Sequence, residues 1–169
     1  SGNCYVSYQT SGVVSGGYNQ DGTLNDIVVF KLNDVGNFLW AKQLSTFNTL
    51  SADYASRICC DNSGNCYVSY HTGGQISGGE DMDGASKDIV VFKLDSCGNN
   101  IWSVQRAFNT VATDTLPNIA CNMNTGELRV AYETTGIASG GVNDTPPNTD
   151  IVVFGLDTSG VVKWISQKN

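Results

Sequence analysis

Two loops of this chain carry oxygen ligands at alternating positions. One runs Asn19-Gln20-Asp21-Gly22 and on to Asp26; the other runs Asp81-Met82-Asp83-Gly84 and on to Asp88. Side-chain oxygens at alternate residues, a glycine turn and a further carboxylate are the parts of a calcium loop. Asn19, Asp21, Asp26, Asp81, Asp83 and Asp88 are therefore the candidate metal ligands, with calcium the candidate ion and no other cofactor expected. The spacing is shorter than that of an EF-hand and lacks its closing bidentate glutamate. A third copy reads Asn143-Asp144-Thr145, with Pro146-Pro147 in place of the glycine turn, and is not expected to bind. The same residues also have a plainer reading, in which Asp-Gly supplies a turn and Asp26, Asp88 and Asp150 cap the start of a strand.

Other chemistry has weaker anchors. Glu80, Asp81 and Asp83 have the residue types of a glycosidase pair, but they fall within four residues on one loop and read as a solvated acidic tip. The single histidine, His71, stands where the other copies carry Gln9 and Glu133, and reads as a surface polar residue. No G-x-S-x-G elbow is present, so no enzyme activity is expected. Trp40, Trp102 and Trp164, with Tyr5, Tyr67, Tyr8, Tyr70 and Tyr132, have faces on which a sugar ring could stack. Recurring at fixed offsets, they read first as packing between repeated units.

The six cysteines, Cys4, Cys59, Cys60, Cys66, Cys97 and Cys121, contain no C-x-x-C pair and have one histidine to join them, which excludes a zinc site of the usual spacing. Cys4 and Cys66 match Leu128 in the third copy, as small hydrophobic core sites would. Reduced, structural thiols are expected. The chain opens at Ser1 in the middle of a pattern, without a leader or lipidation motif, and so reads as a trimmed piece.

Composition bounds the classes. At 169 residues, 40% hydrophobic and 15% charged, the chain is a single domain spanning residues 1–169 that can bury a real core. A net charge of −7 without a basic cluster excludes a nucleic-acid binder, which draws its affinity from Lys and Arg on phosphates. No apolar run approaches the roughly 18–20 residues that span a bilayer, so no membrane insertion is expected.

The elements that must position these residues repeat at an offset of 62. Ser1-Gly-Asn-Cys-Tyr-Val-Ser-Tyr8 recurs unchanged at Ser63–Tyr70, and Thr125–Tyr132 is a degenerate third copy. Asp26-Ile-Val-Val-Phe30 recurs at Asp88–Phe92 and Asp150–Phe154, and the Gly-Gly pairs and tryptophans keep step. Phe47-Asn48-Thr49 recurs at Phe108-Asn109-Thr110 with an offset of 61, so compensating shifts sit in loops. The copies are 1–62, 63–124 and 125–169. Each holds four strand-like runs: Arg57–Cys60 (Asn118–Cys121 in the next copy), Asn3–Tyr8, Asp26–Leu32, and the run that carries the tryptophan. Leu128, Val130 and Tyr132 alternate with Glu127, Arg129 and Ala131, a period of two. The Asp26–Leu32 run is near-continuously apolar, as expected for a strand covered on both faces. Tight Asn/Asp/Gly turns make each copy a meander. A meander with two apolar faces can be buried by stacking copies radially, as in a β-propeller, with an open β-solenoid as the alternative.

The run D-N-S-G-N-C-Y-V-S-Y-H-T, followed by D-I-V-V-F-K-L-D-S-C-G-N-N-I-W, resembles the SBBP-type repeats of seven-bladed β-propeller-like proteins, of general form D-x-x-G-N-x-Y-V-x-G-x-T … D-x-F-V-x-K-L-x-x-x-G. It departs in Tyr8, Tyr70 and Tyr132, where that family favours glycine, and in the Ser-Gly-Gly loop. The resemblance implies a propeller fold and no catalytic residues. The expected fold is all-β, with about three four-stranded antiparallel blades, the first lacking a strand, in a ring that is incomplete unless chains assemble or further blades follow. The expected function is a non-catalytic structural or protein-interaction module, its partner a second copy of itself or further blades of a longer chain. The alternative is a lectin-like propeller that binds glycans, calcium-assisted.

Overall fold

The computed structural model describes residues 2–106, 108–141 and 148–168, and these form strands, turns and loops with no helix. None of them therefore forms a helix long and apolar enough to cross a membrane. The first sheet contains β1 (Cys4–Thr10), β2 (Asp26–Leu32) and β3 (Phe38–Lys42). The second contains β4 (Asp53–Cys60), β5 (Cys66–Thr72), β6 (Asp88–Leu94) and β7 (Asn100–Val104). The third contains β8 (Asp114–Cys121), β9 (Leu128–Thr134), β10 (Asp150–Leu156) and β11 (Val162–Lys168). All pairings are antiparallel and follow chain order within each sheet. The fold is thus all-β: three antiparallel sheets of three, four and four strands, or blades, with no closed barrel among the described residues, an arrangement consistent with an incomplete propeller. Among the described residues no strand pairs with the outer side of β1, so β1 is an edge of its sheet.

Turn chemistry sets the hairpins. Asn33, Asp95 and Asp157 each accept two backbone N–H groups of the turn that follows, at 2.8–3.1 Å, and a glycine closes it in the left-handed region: Gly36 (φ 82°), Gly98 (φ 83°) and Gly160 (φ 80°). The alternation of side chains along each strand then gives every blade two apolar faces. Ile27 and Val29 of blade 1 meet Val68, Tyr70, Val90, Phe92 and Leu94 of blade 2. Ile89 and Val91, on the opposite face of blade 2, meet Leu128, Val130, Tyr132, Val152 and Phe154 of blade 3. All of β5 is buried, and burial of each large apolar side chain is worth about 1.5–3 kcal/mol.

The first strand of a blade starts earlier than its sequence pattern suggests, at Asp53 and Asp114 instead of Arg57 and Asn118. A bulge between Tyr54 and Arg57, and another between Thr115 and Asn118, breaks the period of two and hides the strand's beginning. Pro117 falls inside the second bulge, where no ladder bond is lost. Each bulge holds a non-glycine residue in the left-handed region, Ala55 (φ 57°) and Leu116 (φ 52°). A side chain of the preceding blade catches its N–H: Gln9 Oε1 accepts from Ala55 at 2.9 Å, and His71 Nδ1 accepts from Leu116 at 3.4 Å. His71 is therefore a buried seam residue and not the surface residue its variable repeat partners suggested. Strand β8 covers it.

Ser69 Oγ is the one buried side-chain polar atom without a partner among the described residues. Blade 3 carries Ala131 at the same register. Ser69→Ala should leave thermal stability unchanged or raise it by up to about 1 kcal/mol, since the unsatisfied hydroxyl costs desolvation and returns no bond. Chemical denaturation with an unchanged m-value would check this.

Candidate functional site

The residues that connect the blades form the most elaborate polar structure in the molecule. Between β3 and β4 runs Phe47-Asn48-Thr49, and between β7 and β8 runs Phe108-Asn109-Thr110. Asn48 brackets Ile27 of the preceding blade, its Oδ1 accepting from Ile27 N at 2.8 Å and its Nδ2 donating to Ile27 O at 3.0 Å. Asn109 does the same to Ile89, at 2.8 and 2.9 Å. The neighbouring residues face the following blade. Phe47 stacks on Phe92 with ring centroids 4.2 Å apart, and Phe108 on Phe154 at 4.3 Å. The hydroxyls of Tyr70 and Tyr132 donate to the carbonyls of Phe47 and Phe108. Thr49 Oγ1 meets Thr72 Oγ1 at 2.8 Å and donates to Asp53 Oδ1 at 2.9 Å; Thr110, Thr134 and Asp114 repeat this at 3.0 and 2.9 Å.

These carboxylates are deeply buried. Burial pushes Asp53 up to about 7, against the hydroxyl of Thr72 and the N–H and hydroxyl of Thr49, which pull it down. Burial likewise raises Asp114 and Asp88 to about 6. His71 moves the other way, to about 4, because burial disfavours its cation and Lys87 adds to the effect. Each group belongs to a bonded structural unit. The oxygens of Asp53 and Asp114 face the threonines of their own stitch.

The candidate metal ligands occupy two loops and serve those loops. Asn19 Oδ1 accepts from Gly22 N at 2.7 Å, and Asp21 Oδ1 accepts from Thr23 and Leu24 N at 2.8 and 2.6 Å. In the second loop Asp81 Oδ1 accepts from Gly84 N at 2.7 Å, and Asp83 Oδ1 from Ala85 and Ser86 N at 2.9 and 2.7 Å. Asp26 Oδ2 bridges Gln20 N and Gln43 Nε2, and Asp88 Oδ2 bridges Met82 N and Gln105 Nε2, both at the strand start. Gln43 and Gln105 also tie in the Gly12–Val14 and Gly74–Ile76 turns, so these two aspartates anchor the long loops to the blades. Among the described residues no three His, Cys, Asp or Glu side chains converge on a point where a metal ion could sit. Asn143–Pro147 lie outside the described residues. Glu80 is exposed at the loop tip.

The aromatic residues divide by position. Trp40 Nε1 donates to Ser96 O at 3.3 Å and Trp102 Nε1 to Thr158 O at 3.0 Å, each on the turn of the next blade. Gly98 and Gly160 lie under these indoles so closely that a Cβ would stand 3.1 and 3.0 Å from Trp40 and Trp102. Trp164 has no following turn among the described residues; it is 41% exposed, with the Arg129 guanidinium 5.4 Å from its ring centroid. Tyr5 OH reaches Gly64 O of blade 2 at 3.1 Å, and Tyr67 OH reaches Asp61 Oδ2 at 3.0 Å. Cys66 is buried as a core residue; Cys4, its copy in blade 1, is exposed because no blade covers that face. All six cysteines are free thiols; Cys60 and Cys66 are cross-strand neighbours with sulfurs 2.9 Å apart. A cleft of about 410 Å³ runs along the seam beside Trp102, Arg106 and Gly160, and its lining holds neither a carboxylate nor a histidine.

What the sequence missed is the stitch itself. The offset-61 match of Phe-Asn-Thr was visible, but apart from the aspartate four residues on its polar partners lie on strands 20 or more residues away, and only the fold brings them together. No family model matches this chain, and no curated protein matches it.

Two outcomes follow. Folding takes up protons at Asp53, Asp88 and Asp114 between pH 3.8 and about 7, and gives one up at His71 between about 4 and 6.5. The aspartate contribution is complete below pH 3.8 and lost as pH rises through 6 to 7; the histidine contribution is complete above 6.5 and lost as pH falls toward 4. With three groups against one, the melting temperature should rise from pH 7.5 to pH 5. Asp53→Asn should flatten that rise above pH 6, and His71→Gln should steepen it below 6.5, in thermal melts followed by circular dichroism. Because the loop carboxylates already cap their own turns, millimolar Ca2+ should leave the melting temperature unchanged. A Ca2+-dependent rise that EDTA reverses would show that the loops bind it.

Proposed function

We propose that this chain is a non-catalytic structural module that binds protein through the two outer faces of its blade stack, in the first place a second copy of itself. One observation carries the reading: the ends of the stack are the two unmatched halves of an interface the molecule makes twice internally. Trp40 and Trp102 are knobs seated on the Gly98 and Gly160 turns; Trp164, at the same register, is 41% exposed and rests its indole on Gly155 of its own blade, from which it would have to swing to fill such a seat. At the other end, the Gly36 turn is the same seat with nothing within 4 Å of a Cβ built on it. Asp34 O stands at the register of Ser96 O and Thr158 O, the acceptors of the two seated indoles. Ile151, exposed on blade 3, is the copy of the buried Ile27 and Ile89, and Tyr8, exposed on blade 1, is the copy of the buried Tyr70 and Tyr132.

A face of one kind at one end and its complement at the other make a heterologous, head-to-tail contact, which closes into a ring or continues as a stack. Two copies would place six blades in one ring. The likeness to SBBP-type blades, which carry no catalytic residues, supports the same reading, and so do the apolar side chains left exposed on the two outer faces, Tyr8 and Ile151 among them.

Light scattering behind a sizing column, over a range of concentrations, tests it. The expected result is a species of twice 18.0 kDa or a higher multiple. Trp164→Ala should shift dissociation to concentrations at least about tenfold higher, the loss of a central aromatic anchor. A monomer at every concentration would overturn the reading.

A further inference from the structure

Blade 1 repeats the docking surface that blades 2 and 3 present to their first strands, and holds it empty among the described residues. In blade 2 the segment Phe47–Cys60 docks by five points: Phe47 stacked on Phe92, its carbonyl taken by Tyr70, Thr49 on Thr72, Asp53 opposite Thr72, and Ile58 and Cys60 opposite Val68 and Cys66. In blade 3 the segment Phe108–Cys121 docks on Phe154, Tyr132, Thr134, Val130 and Leu128 in the same register. Both segments share the pattern Phe-Asn-Thr-x-x-x-Asp-x-x-x-x-Ile-x-Cys. Blade 1 offers Phe30, Tyr8, Thr10, Val6 and Cys4 at the matching positions. Phe30 keeps its edge contact with Tyr8, ring centroids 6.0 Å apart, as Phe92 does with Tyr70 at 6.2 Å, but it has no stacked phenylalanine. Thr10 Oγ1 already accepts from Gly12 N at 3.0 Å, the bond Thr72 and Thr134 make to Gly74 and Gly136, and lacks the threonine those two also hold.

We propose that the edge of β1 is a strand acceptor, and that its ligand is an extended protein segment of the Phe-Asn-Thr-x-x-x-Asp-x-x-x-x-Ile-x-Cys class that adds antiparallel to β1 as the first strand of blade 1. Backbone ladder bonds supply affinity, and the phenylalanine slot and the Thr10 clamp supply selectivity. The segment's asparagine faces away from blade 1. In both internal cases it brackets an isoleucine of the blade before, and on the outer face of blade 3 that isoleucine is Ile151, 46% exposed. Glu133, at the register of Gln9 and His71, stands where a bulge N–H of the same segment would be caught. One incoming strand would thus be held by blade 1 of one copy and blade 3 of another. The inference deepens the assembly reading above, yet its contacts on β1 do not require assembly.

The probe is the blocked peptide Phe108–Cys121, kept reduced, titrated by calorimetry into the Trp164→Ala protein so that self-association does not compete. Saturable one-to-one binding is expected, with slowed amide hydrogen exchange confined to β1 and its neighbours. The Phe108→Ala and Ile119→Asp peptides should each bind at least about tenfold more weakly, the first leaving the slot on Phe30 empty and the second placing a charge against Val6. Because these changes are in the peptide, the host's folding is untouched. No binding, or equal binding of a scrambled peptide, would overturn strand acceptance even where the wild-type chain assembles. A host that stays monomeric yet binds the peptide in this order would uphold it even where the assembly reading fails.

Discussion

A strand that is apolar on both faces cannot be covered by its own sheet. Asp-Ile-Val-Val-Phe, present three times, imposes that condition on every blade: each needs a neighbour on two sides. The three identical copies show what happens when the condition is met in full, in part, or from the other side. In β6 every residue of the motif is buried. In β2 Phe30 is half-exposed, because nothing covers the side of blade 1 that faces away from blade 2. In β10 it is Ile151 that is exposed, because the opposite face is the uncovered one. Identical residues thus end in different environments through position in the stack alone.

Apolar contact is non-directional and would let blades slide past each other; the polar stitches supply the register. Asn48 and Asn109 satisfy a backbone N–H and carbonyl of the preceding blade while the adjacent threonine and phenylalanine hold the following one. A buried polar group left unpaired is costly, so a misplaced blade would strand several such groups at once. The buried carboxylates Asp53 and Asp114 are tolerated on the same ground, held by threonines and titrating near neutrality as a consequence of burial. Burial is the largest cause of their raised pKa values, and the hydrogen bonds from Thr49, Thr72, Thr110 and Thr134 oppose it.

The repeat, the strand count, the meander order, the short first blade and the all-β class were all legible in the sequence, because period-2 patterning and turn residues act over a few positions. The roles of single polar residues were not. His71 looked like a surface residue since its counterparts are Gln9 and Glu133, yet Gln9 and His71 share one duty, accepting a bulge N–H of the next blade, and Glu133 stands at the same register with no bulge before it among the described residues. Variation there reflects interchangeable acceptors, not exposure. The start of β4 was hidden for a related reason: a bulge cancels the alternation on which strand recognition depends. The Asp-Gly loops satisfied both a turn and a metal reading by composition, and only the directions of the carboxylate oxygens show which backbone groups they hold.

The tryptophans show how a repeat can carry its own assembly information. The indoles of Trp40 and Trp102 reach forward to a turn one blade ahead, and the glycines of those turns, Gly98 and Gly160, are left-handed and bare enough to receive them. Glycine serves two purposes here, since the φ near +80° closes the hairpin and the absent Cβ opens the seat. A device built this way has polarity: knobs point along the chain and seats point back. Any finite stack then ends with one unseated knob and one vacant seat, and these are complementary by construction. Among the described residues blade 3 carries Trp164 with its indole on Gly155 of its own blade, and blade 1 carries the Gly36 turn with nothing over it, so the two outer faces differ from the inner ones through position in the stack.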